Sequence, residues 1–406
     1  MTYIGPMSLA VRQRSRDRPF RRLASLFSFT SFCLVVFACA LVVGGFALFA
    51  AASPRGAAPR SRDLASELGA FGTRTKGLHW RRIVTHSAPS PRVTAPLAYD
   101  PTTRQLVLVG GTRQVQATTG SRVESTTILD DTWVFAHKDW RQVKAGPTPP
   151  ASTRPGAVAY DPARKTVVLV TAPASSDGMG TDSSKATTWT WTRTHWAELR
   201  TKGPVWGNWP ALMVYDTETH QLVLVLRPSG PAGDSGTYVL SRAGWRAESA
   251  PPRLGYMAYD PMTRRLVGQS AGSGWMWWWT GQRWRVLKRR VVVHLNSGSA
   301  YGMFDEAANW VTDSATGELI AFGFTVNTTA STVHTGHSPY LFAFVRGGWH
   351  PIKAAIRPPP VNPQFFSLAD DSSVVGVVAF GGGGEQSASG GLVLGGNGTW
   401  ELVGAG

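Results

Sequence analysis

Downstream of residue 39 the chain has no cysteine; its only two, Cys33 and Cys39, lie near the N-terminus. A disulfide framework and a cysteine-ligated zinc site are therefore excluded for the bulk of the protein. Charge is also scarce. Asp, Glu, Lys and Arg make up 16% of the residues, against roughly a quarter in an ordinary globular chain. What charge there is leans one way, with 41 basic and 25 acidic residues and a net charge of +16. No Lys/Arg run follows the N-terminal segment, so the stripe of a nucleic-acid binder is missing and nucleic acid is not an expected partner. The basic surplus suits an acidic polysaccharide, a wall polymer or lipid head groups. It suits equally a basic shell that keeps a Trp-rich protein soluble.

What is abundant points to short strands and turns: 44 Gly, 27 Pro and 17 Trp. At the N-terminus, Arg12, Arg14, Arg16, Arg18, Arg21 and Arg22 precede an uncharged run from Leu23 to Ser53. Its apolar stretch from Phe32 to Ala52 has the ~20 residues that a membrane-spanning helix needs. This reads as an uncleaved signal anchor, with the Arg cluster inside and the bulk exported. The competing reading is a cleaved signal, with Ala50-Ala51-Ala52 as the processing site and a secreted product.

One pattern then recurs six times at intervals of ~50 residues. Its first half is strand, tight turn, apolar strand: AYDPTTRQLVLVGG (98–111), AYDPARKTVVLV (159–170), VYDTETHQLVLVL (214–226), AYDPMTRRLVG (258–268), VTDSATGELIAFG (311–323) and ADDSSVVGVVAFGG (369–382). Asp100, Asp161, Asp216, Asp260, Asp313 and Asp371 align. Asp followed by Pro suits the first two positions of a type I turn, so the aspartates read as turn formers without any ion. In the second half an aromatic or apolar residue is followed seven positions later by Trp. The pairs are Trp133/Trp140, Trp189/Trp196, Tyr238/Trp245, Trp277/Trp284, Phe342/Trp349 and Val393/Trp400. Trp80, in LHWRRIV, resembles another copy of the last strand, placed ahead of the first repeat.

Over about residues 78–402 the pattern resembles the bacterial kelch-type repeats of the galactose oxidase/kelch superfamily. The double glycine of those repeats is clear at Gly110-Gly111 and Gly381-Gly382. The resemblance implies an all-β, kelch-like β-propeller; the six repeats give six blades, with seven as the alternative count, and the apolar run places one N-terminal transmembrane helix ahead of it. The expected layout is residues 1–22 as a basic cytoplasmic tail, 23–53 as the anchor, 54–76 as a flexible linker and 77–406 as the propeller. Each four-stranded unit must stack on its neighbours to bury its faces. Trp80's strand is surplus to six complete repeats and would pair at the edge of the last blade.

The copper-radical chemistry of galactose oxidase needs a Tyr–Cys cross-link, which this chain cannot form beyond residue 39. No cofactor, metal or catalytic residue is expected. His334 and His337 (STVHTGHSP) have metal-chelating spacing but sit in a Thr/Gly loop. The adjacent carboxylates Asp130-Asp131, Asp305-Glu306 and Asp370-Asp371 point to opposite faces of a strand, and turn capping accounts for Asp131 and Asp371.

Function concentrates on variable loops held by a rigid scaffold. The connections after each second strand vary most, so a protein or glycan ligand is expected on that face. Its candidate residues are Arg113, Arg122, Asp177, Asp182, Lys185, Asp234, His334, His337 and Glu385, with Trp206, Trp209 and Trp275 as stacking platforms. The leading expectation is a membrane-anchored, extracytoplasmic binding or scaffolding propeller, not an enzyme. The alternative is a propeller lyase or hydrolase acting on an anionic polysaccharide, which requires acids and bases converging at the central channel. Nothing in the sequence specifies the oligomeric state.

Overall fold

In the computed structural model the described residues lie between 75 and 404. They leave out 117–122, 151–155, 173–183, 207–210, 227–235, 295–299, 302–308, 324–339, 353–365, 387–391 and a few shorter stretches. Every named element is a strand. Six four-stranded antiparallel sheets repeat along the chain. Blade 1 is Leu97–Asp100, Gln105–Val109, Thr132–Ala136 and Asp139–Val143. Blade 2 is Ala157–Asp161, Thr166–Thr171, Thr187–Trp191 and Trp196–Leu199. Blade 3 is Ala211–Asp216, Gln221–Leu226, Gly236–Ser241 and Gly244–Ala247. Blade 4 is Leu254–Asp260, Arg265–Ser270, Met276–Trp279 and Trp284–Lys288. Blade 5 is Asn309–Asp313, Glu318–Gly323, Tyr340–Val345 and Gly348–Pro351.

Blade 6 closes the ring from both chain ends. Its first three strands are Phe366–Asp371, Gly376–Gly381 and Thr399–Val403, and its fourth is His79–Ile83. Trp80 lies opposite Leu402, and Arg82 opposite Trp400. Trp400 therefore occupies the third strand and is the counterpart of Trp133, while Trp80 is the counterpart of Trp140. Val393 is not part of the blade. It lies on Leu392–Leu394, in a separate sheet where the hairpin Gly384–Gln386/Leu392–Leu394 of blade 6 pairs with Thr112–Gln116/Val123–Ile128 of blade 1. The first strands touch in the order of blades 1, 2, 3, 4, 5, 6 and back to 1, so the described residues form six blades and a closed ring.

The transmembrane helix is corrected. Among the described residues no helix is long and apolar enough to cross a membrane. Residues 23–53, to which the anchor was assigned, lie outside those residues, as does the cleavage site near Ala52. Hydropathy reports how readily a segment leaves water, not which backbone conformation it takes. Membrane attachment, the signal anchor and the single-pass, N-terminus-inside topology that rested on the helix are dropped with it.

The core is distributed between blades. The second strands are buried along almost their whole length, as in Leu106–Val109 and Leu222–Leu226. Outer-strand tryptophans fill the wedges, and four are latched by a recurring hydrogen bond to the preceding blade. Trp140 Nε1 donates to Thr399 Oγ1 (2.8 Å), Trp196 to Thr132 (3.1 Å), Trp245 to Thr188 (2.8 Å) and Trp284 to Thr237 (3.0 Å). Each acceptor directly precedes the aromatic residue of the third strand. Blades 4 and 5 carry Met276 and Leu341 at that place. Thr237→Val should leave the Trp284 indole N–H buried without its acceptor and cost about 1–3 kcal/mol. Denaturant unfolding would show this as a lower midpoint with an unchanged slope.

Candidate functional site on the turn face

In each blade the turns joining strands one to two and three to four share one face, here the turn face. The connection after strand two and the link to the next blade share the other, the loop face.

The repeated aspartates build the turn face. Each is buried at the end of a first strand. Asp100 Oδ1 accepts from Thr102 N and Oδ2 from Thr103 Oγ1. Asp216, Asp260 and Asp313 accept equivalent pairs from Glu218 N and Thr219, Met262 N and Thr263, and Ala315 N and Thr316. In blade 2 the hydroxyl is replaced by the Arg164 guanidinium, 2.6 Å from Asp161 Oδ2. Burial pushes the carboxyls of Asp216, Asp260 and Asp313 above their usual range, against the pull of these hydrogen bonds. The aspartates thus fix the turns.

The residue four places after the aspartate is what the turns present. Arg104, Lys165, His220 and Arg264 stand there in blades 1 to 4, all exposed and all at positive φ, between 52° and 55°. Blade 5 has Gly317 at the same place, with φ 70°. Glycine adopts this left-handed conformation freely, whereas another residue pays on the order of 1 kcal/mol or more. Four successive blades nonetheless place a basic side chain there. The outer turns repeat the charge, with Lys138 in blade 1, Arg193 in blade 2, Arg242 in blade 3 and Arg283 in blade 4, all exposed.

Between neighbouring blades the turn face opens into clefts. The cleft between blades 3 and 4 has a volume of about 410 Å³ and is lined by Asp216, Glu218, Thr219, Thr263, Arg264, Arg265, Trp278, Trp279 and Thr280. Trp278 is half-buried, with the Arg265 guanidinium 4.4 Å above its ring. Arg264 pairs with Glu218 at 2.9 Å. The equivalent cleft between blades 2 and 3, of about 270 Å³, is lined by Asp161, Ala163, Arg164, His220, Leu222, Leu240, Ser241 and Arg242. It has no indole; Leu240 stands at the position of Trp279. On the loop face, a cavity near the double glycine of blade 1 measures only about 30 Å³.

Nearer the axis, the residue before each aspartate forms a half-buried ring of Tyr99, Tyr160, Tyr215, Tyr259, Thr312 and Asp370. These residues lean on the preceding blade. Tyr160 Oη lies 2.8 Å from Thr102 Oγ1, Thr312 Oγ1 donates to Tyr259 O (2.6 Å), and Asp370 Oδ1 accepts from Ser314 N (2.9 Å) and Oγ (2.8 Å). Burial raises the Asp370 carboxyl above its usual range, helped by the nearby Asp313 and Asp371 carboxylates. Burial likewise raises the Tyr215 phenol, beside Asp161 and Asp216.

The loop-face candidates are spread out. Arg113 is exposed on Thr112–Gln116, opposite Thr127. Glu385 pairs with Val393 across the closing sheet. Lys185 and Trp206 belong to one two-stranded ribbon, opposite Val205 and Ser184 respectively. Trp275 is half-buried against Trp277, at a centroid distance of 5.8 Å, with the Arg289 guanidinium 5.3 Å over its ring. Arg122, Asp177, Asp182, Trp209, Asp234, His334 and His337 lie outside the described residues. Sequence reasoning passed over Arg104, Lys165, His220, Arg264 and Arg265. The signal was present in DPTTR, DPARK, DTETH and DPMTR, where a basic residue holds the place of the glycine in DSATG.

Strand order, ring closure and a chemically elaborated turn face define a six-bladed β-propeller. No family model and no curated protein matches the chain. Among solved structures it is similar to a gluconolactonase from Xanthomonas campestris, at 13% identity and a TM-score of 0.39 over 82% of this chain and 92% of that one. It is also similar to the fucose-recognising, six-bladed lectin of Aleuria aurantia, at 13% identity and 0.41 over 75% and 92%. An engineered GH43 glycoside hydrolase with xylanase and arabinofuranosidase activity is 10% identical, at 0.32 over 69% and 55%.

Proposed function

We propose that this chain is a carbohydrate-directed β-propeller whose sugar subsite is the cleft between blades 3 and 4. The observation that carries the reading is the cleft itself. It brings Trp278 and Trp279, Arg264 and Arg265, two carboxylates and three threonines to the border of one cavity of about 410 Å³. An aromatic face covers the apolar face of a sugar ring, and convergent polar groups fix its hydroxyls. Within the propellers the kelch-like branch fits best, because all four residues of Gly110-Gly111 and Gly381-Gly382 adopt positive φ.

Cleavage of the bound chain is the second reading. It is favoured by Asp370, a half-buried carboxylic acid held above its usual range within a ring of tyrosines near the axis. A raised carboxyl is the form a general acid requires.

Affinity electrophoresis in gels cast with plant and microbial polysaccharides tests the binding claim. Trp278→Ala and Arg265→Ala should each weaken retention about tenfold, equivalent to about 1.4 kcal/mol. Retention unchanged in both variants would sink the cleft as the subsite. Release of reducing ends or unsaturated products by the wild type, abolished in Asp370→Asn, would establish cleavage. Intact polymer after prolonged incubation would leave a binding module.

A further inference from the structure

We propose that the turn face of blades 1 to 4 is a track for a polyanionic polysaccharide, read by the basic side chains of its inner and outer turns. This deepens the carbohydrate reading above and rests on it. Three observations carry it.

The first is position. Arg104, Lys165, His220 and Arg264 occupy the same turn place in four neighbouring blades, so the ring sets them at one height around the axis. The second is conformation. All four sit at φ between 52° and 55°, where glycine is the unstrained choice and where blade 5 uses Gly317. A backbone position that disfavours any side chain, filled in four successive blades by Arg, Lys, His and Arg, indicates selection for the side chain rather than for the turn. The third is imbalance. Among the described residues, the exposed turns of blades 1 to 4 carry these cations and their outer-turn partners against few carboxylates. Glu218 and Arg264 offset each other (2.9 Å), Asp139 holds the backbone N–H groups of His86 and Ser87, and the surplus rests on Arg104, Lys165, Lys138, Arg193, Arg242 and Arg283.

The cations recur once per half-blade, at intervals of tens of residues in sequence. The composition shows their sum and no stretch of sequence shows their alignment. A chain with an acidic group on every sugar or every second sugar would meet them in succession, with one ring seated in the blade 3–4 cleft. The tryptophans and threonines bordering that cleft suit a sugar ring. The proposal therefore commits to an acidic polysaccharide, and binding of a nucleic acid is an outcome of the test.

The test uses the full chain and the variant Arg104→Gly/Lys165→Gly/His220→Gly/Arg264→Gly. If the four residues serve the turns, glycine will lower the thermal midpoint. If they serve a ligand, the midpoint will hold or rise and only binding will suffer. Probes are polygalacturonate, dextran sulfate, uncharged dextran and a DNA duplex of matched charge. Wild type should bind the two acidic polysaccharides with an affinity that falls steeply between 50 and 300 mM salt. The glycine variant should lose at least tenfold on both, while Trp278→Ala weakens every carbohydrate.

Equal binding by wild type and the glycine variant overturns the track and leaves the cleft reading intact. So does binding of neutral dextran as tight as that of polygalacturonate. DNA bound as tightly as either polysaccharide also overturns the track, in favour of a general polyanion surface. Silence of the wild type toward every carbohydrate removes both.

Discussion

Deleting residues 79–83 is expected to abolish cooperative unfolding of the propeller, because those five residues are the fourth strand of the last blade. They pair along their whole length with Thr399–Val403. Trp80 and Ile83 are 8% and 6% exposed, and Trp80 packs with Phe322 at a centroid distance of 6.1 Å. Removing a buried Trp and a buried Ile costs on the order of 3–5 and 2–5 kcal/mol respectively. Together these approach the ~5–15 kcal/mol that holds a typical domain folded. The loss is also topological. Thr399–Val403 would become an exposed edge ready to pair with another chain. Circular dichroism melting and light scattering should show a broad, low transition with aggregation. Trp80→Ala alone should give a sharp transition at reduced temperature. A deletion variant that melts like wild type would mean that the ring closes without the N-terminal strand.

The six-fold architecture was legible because its two signals are local. The repeated turn aspartates and, in blades 1 to 5, the outer-strand tryptophans each recur within a single blade and fall where the repeats placed them. The register of the last blade was misread for a physical reason. The 392–394 segment is apolar and lies seven residues before Trp400, so spacing alone could not separate it from a blade strand. The residues flanking each tryptophan do separate them. Third strands read Thr-Trp or Thr-Tyr where the latch acceptor is needed, as at Thr132-Trp133, Thr188-Trp189 and Thr399-Trp400. Fourth strands read Trp-Arg where the next residue faces solvent, as at Trp80-Arg81, Trp140-Arg141 and Trp284-Arg285. The apolar run at 32–52 lies outside the described residues.

The site was less legible than the fold. Loop variability drew attention to the loop face, where most candidates lie outside the described residues, and among the described residues two clefts open on the turn face. Short turns look like pure scaffold in sequence, because Asp, Pro and Thr account for their shape. What they present is set by one residue per turn, and its meaning depends on neighbours tens of residues away. The place of Trp278 was hidden for a similar reason. In the run Trp275–Trp279 the alternation of a strand assigns faces, but not which face meets a cleft. Trp279 packs on Trp284 at 5.4 Å in the core between blades 3 and 4, whereas its neighbour Trp278 turns to the core between blades 4 and 5 with Arg265 over its ring, and both border the cleft.

Asp131→Ala should be the most damaging single substitution on the loop face. Asp131, expected from sequence as a turn cap, instead neutralises a fully buried guanidinium. The Arg92 side chain is 0% exposed and lies 2.5 Å from Asp131 Oδ1 through Nη1. Nη2 donates to Asp131 Oδ2 at 2.9 Å, and the remaining bonds go to Ser90 O, Ser90 Oγ and Gly110 O. Asp131 Oδ2 also accepts from Trp133 Nε1 at 2.7 Å. Alanine would strand a buried cation and an indole donor together, at a cost of about 3–5 kcal/mol. Arg92→Met should cost less, since the Asp131 side chain is 20% exposed and can turn to water. Burial raises the Asp131 carboxyl, but the hydrogen bonds and charge of Arg92, with the Trp133 bond, outweigh it and hold the group below its ordinary 3.8. A folded-state value below the unfolded one means that the ion pair stabilises fully above about pH 4 and is lost as pH falls through the lower value. Urea unfolding of wild type and Asp131→Ala should therefore differ most at neutral pH and converge in acid. A gap that stays constant from pH 7 to pH 2.5 would show that the carboxylate's charge is not what Arg92 requires.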